Sequence, residues 1–163
     1  HTISPSMDIQ VASNFERLIF DIHSSDSKKV LKLMDNLKKN GEYFIDERYL
    51  RKIKEIFCSD SMSEAETKSV IKEIYQKQGV LVDPHTAVAI GVSNKVSAEG
   101  NTIVLATAHP AKFSDIVLQE TKVKPDLPEN LKDILTKKEN YKKIPKDLEK
   151  IKNYILKEVK LVN

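Results

Sequence analysis

Two polar clusters in this sequence directly follow short apolar runs. Thr107-Ala108-His109-Pro110 comes after the apolar segment 102–106, and Asp83-Pro84-His85-Thr86 comes after Val80-Leu81-Val82. A threonine hydroxyl at the edge of a sheet can hydrogen-bond a heteroaromatic nitrogen without fully protonating it. It can equally be a satisfied turn residue. Thr107 and His109 are the stronger site candidates on position. Asp83 has two readings: it caps a helix with Pro84 at the favoured first position, or it looks with His85 into a cleft completed by something else. Other familiar chemistry is missing from the pattern. The four glycines, Gly41, Gly79, Gly91 and Gly100, are scattered, so there is no glycine-rich phosphate loop. His1, His23, His85 and His109 have no paired spacing that would hold a metal. Neither a nucleophile elbow nor a P-loop occurs. As a self-contained active site, the chain is incomplete.

The elements that must position those residues centre on 80–113. This stretch reads as a short apolar strand, a helix, a second apolar strand at 102–106, and a polar turn into another helix. Such a βαβ unit implies a small parallel sheet, whose ligands gather at the carboxyl ends of the strands. Ala87, Val88, Ile90, Gly91 and Val92 make its helix small and apolar, suited to close packing on a sheet.

Helices are expected before that unit. Ser6 can cap one that begins near Met7-Asp8 and runs to about His23, with Ile9, Ala12, Phe15, Leu18, Ile19 and Ile22 as its apolar stripe. Ser13, Asn14, Arg17 and Asp21 lie away from that stripe. Ser25-Asp26 opens a second helix that Gly41 stops, with Val30, Leu31, Leu33, Met34 and Leu37 facing inward. Asp46 caps a third, with Tyr49, Leu50, Ile53, Ile56 and Phe57 inward. Ser63-Glu64-Ala65-Glu66 is a capping box for a fourth, with Val70, Ile71, Ile74 and Tyr75, ended by Gly79. Pro110-Ala111-Lys112-Phe113 starts the helix that carries Ile116 and Val117. From Lys122 the chain turns lysine-rich and is punctuated by prolines, and a last helix is expected over about 146–160. Leu148, Ile151, Ile155 and Val159 form the inner stripe of that helix.

Length and composition set the class. A chain of 163 residues with 40% hydrophobic and 31% charged residues is long and apolar enough for a globular core. The net charge of +3 is too mild to require nucleic acid, and aromatic residues do not interleave with the basic tail. No apolar run approaches the roughly 20 residues that span a bilayer. One cysteine, Cys58, rules out an internal disulfide framework and fits a reducing, cytoplasmic setting; following Ile56-Phe57, it reads as a buried structural thiol. The chain opens on His1 and a polar segment, without an initiator Met. Two readings fit such a start: an expression scar or trimmed terminus, or the C-terminal piece of a longer protein.

Four segments together carry a resemblance. Ser4-Pro5-Ser6-Met7-Asp8-Ile9, Ser13-Asn14-Phe15-Glu16-Arg17-Leu18, Val82-Asp83-Pro84-His85-Thr86-Ala87 and Thr107-Ala108-His109-Pro110-Ala111-Lys112-Phe113 resemble, in order, the C-terminal part of threonine synthase. The resemblance implies an α/β fold: the helix-rich C-terminal part of a tryptophan-synthase-like pyridoxal-phosphate enzyme. It would have a small parallel sheet (the βαβ unit) and a helical C-terminal extension. Residues 1–121 would belong to the catalytic fold, with a helical insertion at about 25–78, and 122–163 to the lysine-rich extension.

Members of the family convert O-phosphohomoserine and water to threonine and phosphate. By resemblance, Thr107 matches the hydroxyl residue that faces the pyridine nitrogen of pyridoxal phosphate. Asn14 and Arg17 are candidates for supporting substrate or architecture, and Asp83, His85 and His109 are candidates for the cleft. The family's Schiff-base lysine and phosphate-cradling loop belong to its N-terminal part and are not found here. The chain alone is therefore expected to be inactive, with the missing N-terminal part of the same protein as its partner. The alternatives are a non-catalytic helical interaction module and a nucleic-acid-binding module.

Overall fold

The computed structural model describes residues 2–96 and 100–159. It divides into two compact units, one ending at Asp126 and the other starting at Leu127. Among the described residues, the first unit carries six α-helices: α1 (Ser13–Ile22), α2 (Ser27–Asn40), α3 (Glu47–Lys54), α4 (Glu64–Gln78), α5 (Pro84–Lys95) and α6 (Ser114–Thr121). A 3-10 turn, Pro110–Phe113, leads directly into α6. Helix α4 packs against both α5 and α6, while α1 packs against α2 and α3.

Local chemistry explains where most of these helices begin and end. Asp26 caps α2 by accepting the amides of Lys28 and Lys29, and Gly41 ends the helix in the left-handed conformation at φ 78°. Val30, Leu33, Met34 and Leu37 are half-buried as the stripe requires, although Leu31 is exposed. Ser63 and Glu66 form the reciprocal capping box of α4, which Gly79 closes at φ 69°. Ile71 of α4, Val82 and Ala87 make the buried core cluster, with Val70, Ile74 and Ile90 packed around it. Val117 of α6 and Ile19 of α1 are fully buried as well. Gly91 faces Met62 so closely that a Cβ there would sit 2.7 Å from the thioether sulfur. The smallness of α5 thus admits the segment before α4.

Several expectations change. The first helix starts at Ser13, not near Met7, and its N-cap Ala12 supplies no side-chain bond. Residues 4–8 instead form a turn, with the Met7 amide donating to the Ser4 carbonyl at 2.8 Å. The Ser6 amide donates to His85 across 79 positions of sequence, so a long-range partner ties down this turn. No strand forms among the described residues: 80–82 and 102–106 are both irregular, so the small parallel sheet is not seen. A strand exists only through hydrogen bonds to a neighbour, and a lone pair is marginal even when it forms. Helix α3 stops at Lys54, which leaves Ile56 and Phe57 at 78% and 51% exposure rather than inward. Cys58 is exposed, not a buried thiol, because it lies beyond that helix end.

The second unit contains a 3-10 turn, Glu129–Leu131, and the helix α7 (Leu148–Glu158) capped by Asp147. Lys142 reaches Glu158 at 3.9 Å and lies over the ring of Tyr154. The expected inner stripe of this helix is largely exposed, Leu148 at 77% and Ile155 at 51%. Lys160, the expected end of this helix, lies outside the described residues.

Two measurements test this packing. Ile71→Ala removes a fully buried side chain and lowers stability by about 2–5 kcal/mol in urea unfolding, the usual cost of such a cavity. At the α4–α5 junction, Lys95 bonds Glu66 at 2.8 Å and the Ser61 carbonyl at 2.8 Å. The Lys95 bond, followed by those from the Ser63 amide and hydroxyl, holds the Glu66 carboxyl at about 2, below its ordinary 4.5. A carboxyl lowered on folding stabilises the fold above its unfolded value and loses that contribution as pH falls through the folded one. Glu66→Gln therefore lowers the urea midpoint at about pH 6, where the carboxyl is ionised, and the gap closes as pH drops from 4.5 towards about 2.

Candidate functional site

Asp83 is fully buried, and an isolated carboxylate there would be strongly disfavoured. The sequence supplies its donors locally. Asp83 is extended at φ −79° and ψ 163°, so its carboxylate turns back over the first turn of α5. Oδ1 accepts the His85 amide at 2.8 Å, and Oδ2 accepts the Thr86 amide at 3.3 Å and the Thr86 hydroxyl. The His85 ring adds a fourth bond, with Nδ1 2.9 Å from Oδ1. Its Nε2 accepts the Ser6 amide at 3.2 Å. An amide can only donate, so the ring proton sits on Nδ1 and the imidazole donates to Asp83. The ring lies against Phe113, with centroids 4.7 Å apart and planes tilted by 54°. Among the described residues no fully buried side-chain nitrogen or oxygen lacks a hydrogen-bond partner.

The remaining candidates are exposed. Thr107 follows a segment in which Ile103 and Leu105 are 85% and 73% exposed, and its hydroxyl makes no hydrogen bond to the described residues. His109 caps the 3-10 turn, its Nδ1 accepting the Ala111 amide at 3.2 Å. Asn14, at the start of α1, accepts the Phe15 amide at 2.9 Å and borders an apolar groove of about 780 Å³ between α1 and α3. Arg17 is exposed on the same helix.

The structure thus brings together Ser6, Asp83, His85 and Phe113, which come from three of the four resemblance segments. Asn14 and Arg17 belong to the fourth and make no described hydrogen bond to that junction. Sequence reasoning missed Ser6 and Phe113 as partners of His85. Only fold topology brings residues 6 and 85 together, and neither has a local signature for it. Among the described residues no group of three or more His, Cys, Asp or Glu could hold a metal ion, and no helix is long and apolar enough to cross a membrane.

Comparison with known proteins finds extensive similarity. Residues 86–155 match the family model described as threonine synthase, C-terminal. The threonine synthase of Pseudomonas aeruginosa is 34% identical over 94% of this chain and 34% of its own length. That of Saccharomyces cerevisiae is 35% identical over 97% of this chain and 36% of its own. Among solved structures, the PLP-bound threonine synthase from Brucella melitensis superposes with a TM-score of 0.82. It is 40% identical, over 95% of this chain and 34% of that one. The chain therefore has the fold of a region of a PLP-bound threonine synthase. It is related, over nearly its whole length, to the C-terminal part of the threonine synthases. It spans about a third of the length of the curated relatives it matches.

The buried network gives a direct test. Asp83→Ala removes the helix cap and strands the His85 Nδ1–H, so stability falls by about 2–5 kcal/mol in urea unfolding, summing a lost cap and an unsatisfied buried donor.

Proposed function

We propose that the protein carrying this chain is a cytoplasmic threonine synthase, converting O-phosphohomoserine and water to threonine and phosphate with pyridoxal phosphate. The observation that carries this reading is the superposition of 95% of the chain on the PLP-bound enzyme at 40% identity. The exposed hydroxyl of Thr107 fits one edge of the cofactor: it can donate to the pyridine nitrogen without transferring a full proton. When bound, pyridoxal phosphate withdraws electrons from the substrate skeleton, and the partner of its ring nitrogen sets how strongly.

The other residues of this chain form a wall around that edge. His109 holds the turn after Thr107, and Asp83 with His85 fixes the start of α5 behind it. Asn14 and Arg17 support substrate or architecture from α1. The apolar, exposed segment 102–106 suits pairing with strands of the rest of the protein. Residues 1–121 supply this wall and 122–163 a helical extension. No cofactor lysine segment or glycine-rich phosphate loop is recognised here, so the chain by itself is inactive.

An assay of threonine and phosphate release from O-phosphohomoserine separates these claims. The whole polypeptide, supplied with pyridoxal phosphate, forms both products, and the isolated 163-residue chain forms neither. Product formation by the isolated chain would overturn its assignment as one wall of a larger site. A whole polypeptide that is inactive with this substrate would overturn the reaction.

A further inference from the structure

His85 is only 4% exposed, and each of its contacts reaches a different stretch of chain. Nδ1 meets Asp83 at 2.9 Å, Nε2 meets the Ser6 amide at 3.2 Å, and the ring meets Phe113 at 4.7 Å between centroids. Capping α5 needs only Asp83, whose carboxylate already takes the His85 and Thr86 amides. The Ser6 and Phe113 contacts add nothing to that cap. They tie the 4–8 turn to the 3-10 turn Pro110–Phe113, which begins at its His109 cap two residues after Thr107.

We propose that His85 is a positioning residue for the cofactor wall. By accepting the Ser6 amide and packing on Phe113, it holds the 4–8 turn and the turn behind Thr107 in one fixed arrangement. The Thr107 hydroxyl then meets the cofactor ring at a set distance. This rests on the threonine synthase reading above. The ring suits the task because its two nitrogens have opposite roles in one plane: one donates to a buried carboxylate and the other accepts a backbone amide. A residue with only one of those roles would leave either Asp83 or Ser6 without its partner.

The two amide substitutions divide those roles. His85→Gln keeps an acceptor at the Nε2 position for the Ser6 amide. His85→Asn keeps a donor towards Asp83 but leaves that amide without an acceptor. Both are made in the whole polypeptide, with Phe113→Leu as a variant that leaves the cap untouched. Hydrogen exchange at the Ser6 amide and the affinity and absorption band of bound pyridoxal phosphate are the measurements. His85→Asn should speed Ser6 exchange on the order of tenfold, the loss of one protecting hydrogen bond. It should also weaken cofactor binding and shift the band. His85→Gln should restore most of both, and Phe113→Leu should shift the band with a smaller change in exchange.

Unchanged cofactor affinity and absorption in all three variants would overturn the proposal and leave His85 as a core histidine. Unchanged Ser6 exchange in His85→Asn would overturn it too. If the unsubstituted polypeptide takes up no pyridoxal phosphate, the threonine synthase reading fails first, a result distinguishable from variants that bind normally.

Discussion

A buried carboxylate has to be surrounded by donors, and around Asp83 that requirement organises much of the first unit. Its two oxygens take two backbone amides, a hydroxyl and an imidazole, all from His85 and Thr86. Satisfying the carboxylate therefore starts α5 and fixes the His85 ring in one orientation and one tautomer. The oriented ring then presents an acceptor to Ser6 and lies against Phe113. Removing the charge would remove the reason for each of those contacts in turn. The arrangement matters because buried polar groups in a low-dielectric interior cost little only when every partner is present.

Around this network the packing is uneven. Ile71 of α4, Ala87 of α5 and Val82 share a core, and Val117 of α6 is fully buried, yet large apolar side chains elsewhere stay open to solvent. Ile103 and Leu105 are mostly exposed, as are Phe44 and Ile56. Exposed apolar surface of this extent marks an interaction face more often than a finished surface. The chain spans about a third of its relatives' length. The candidate cofactor residue Thr107 follows one of these exposed apolar segments.

Proximity in sequence separates what could be read early from what could not. The caps at Asp26, Asp46, Ser63 and Asp83 satisfy amides two or three residues away. The left-handed glycines at 41 and 79 relieve a strain that arises within one turn. In place of the expected helix at Met7 stands a turn whose Ser6 amide meets a partner 79 positions distant. The expected burial of Ile56, Phe57 and the stripe of α7 is not found either. Periodicity says which face is apolar but not whether anything lies against it.

Residue types and spacing by themselves determined the helix starts and stops, the helix-rich character, and four segments whose order marks the threonine synthase relationship. They also singled out Asp83, His85, Thr107 and His109 as polar residues in telling positions. Tertiary structure alone decided that His85 joins Ser6 to Phe113, that Cys58 is exposed, and that 80–82 and 102–106 remain unpaired. The physical reason is the range of the forces. A cap or a left-handed glycine is settled by atoms a few bonds away, whereas a strand ladder, a buried face or a ring clasped between distant segments exists only once the chain has folded back on itself.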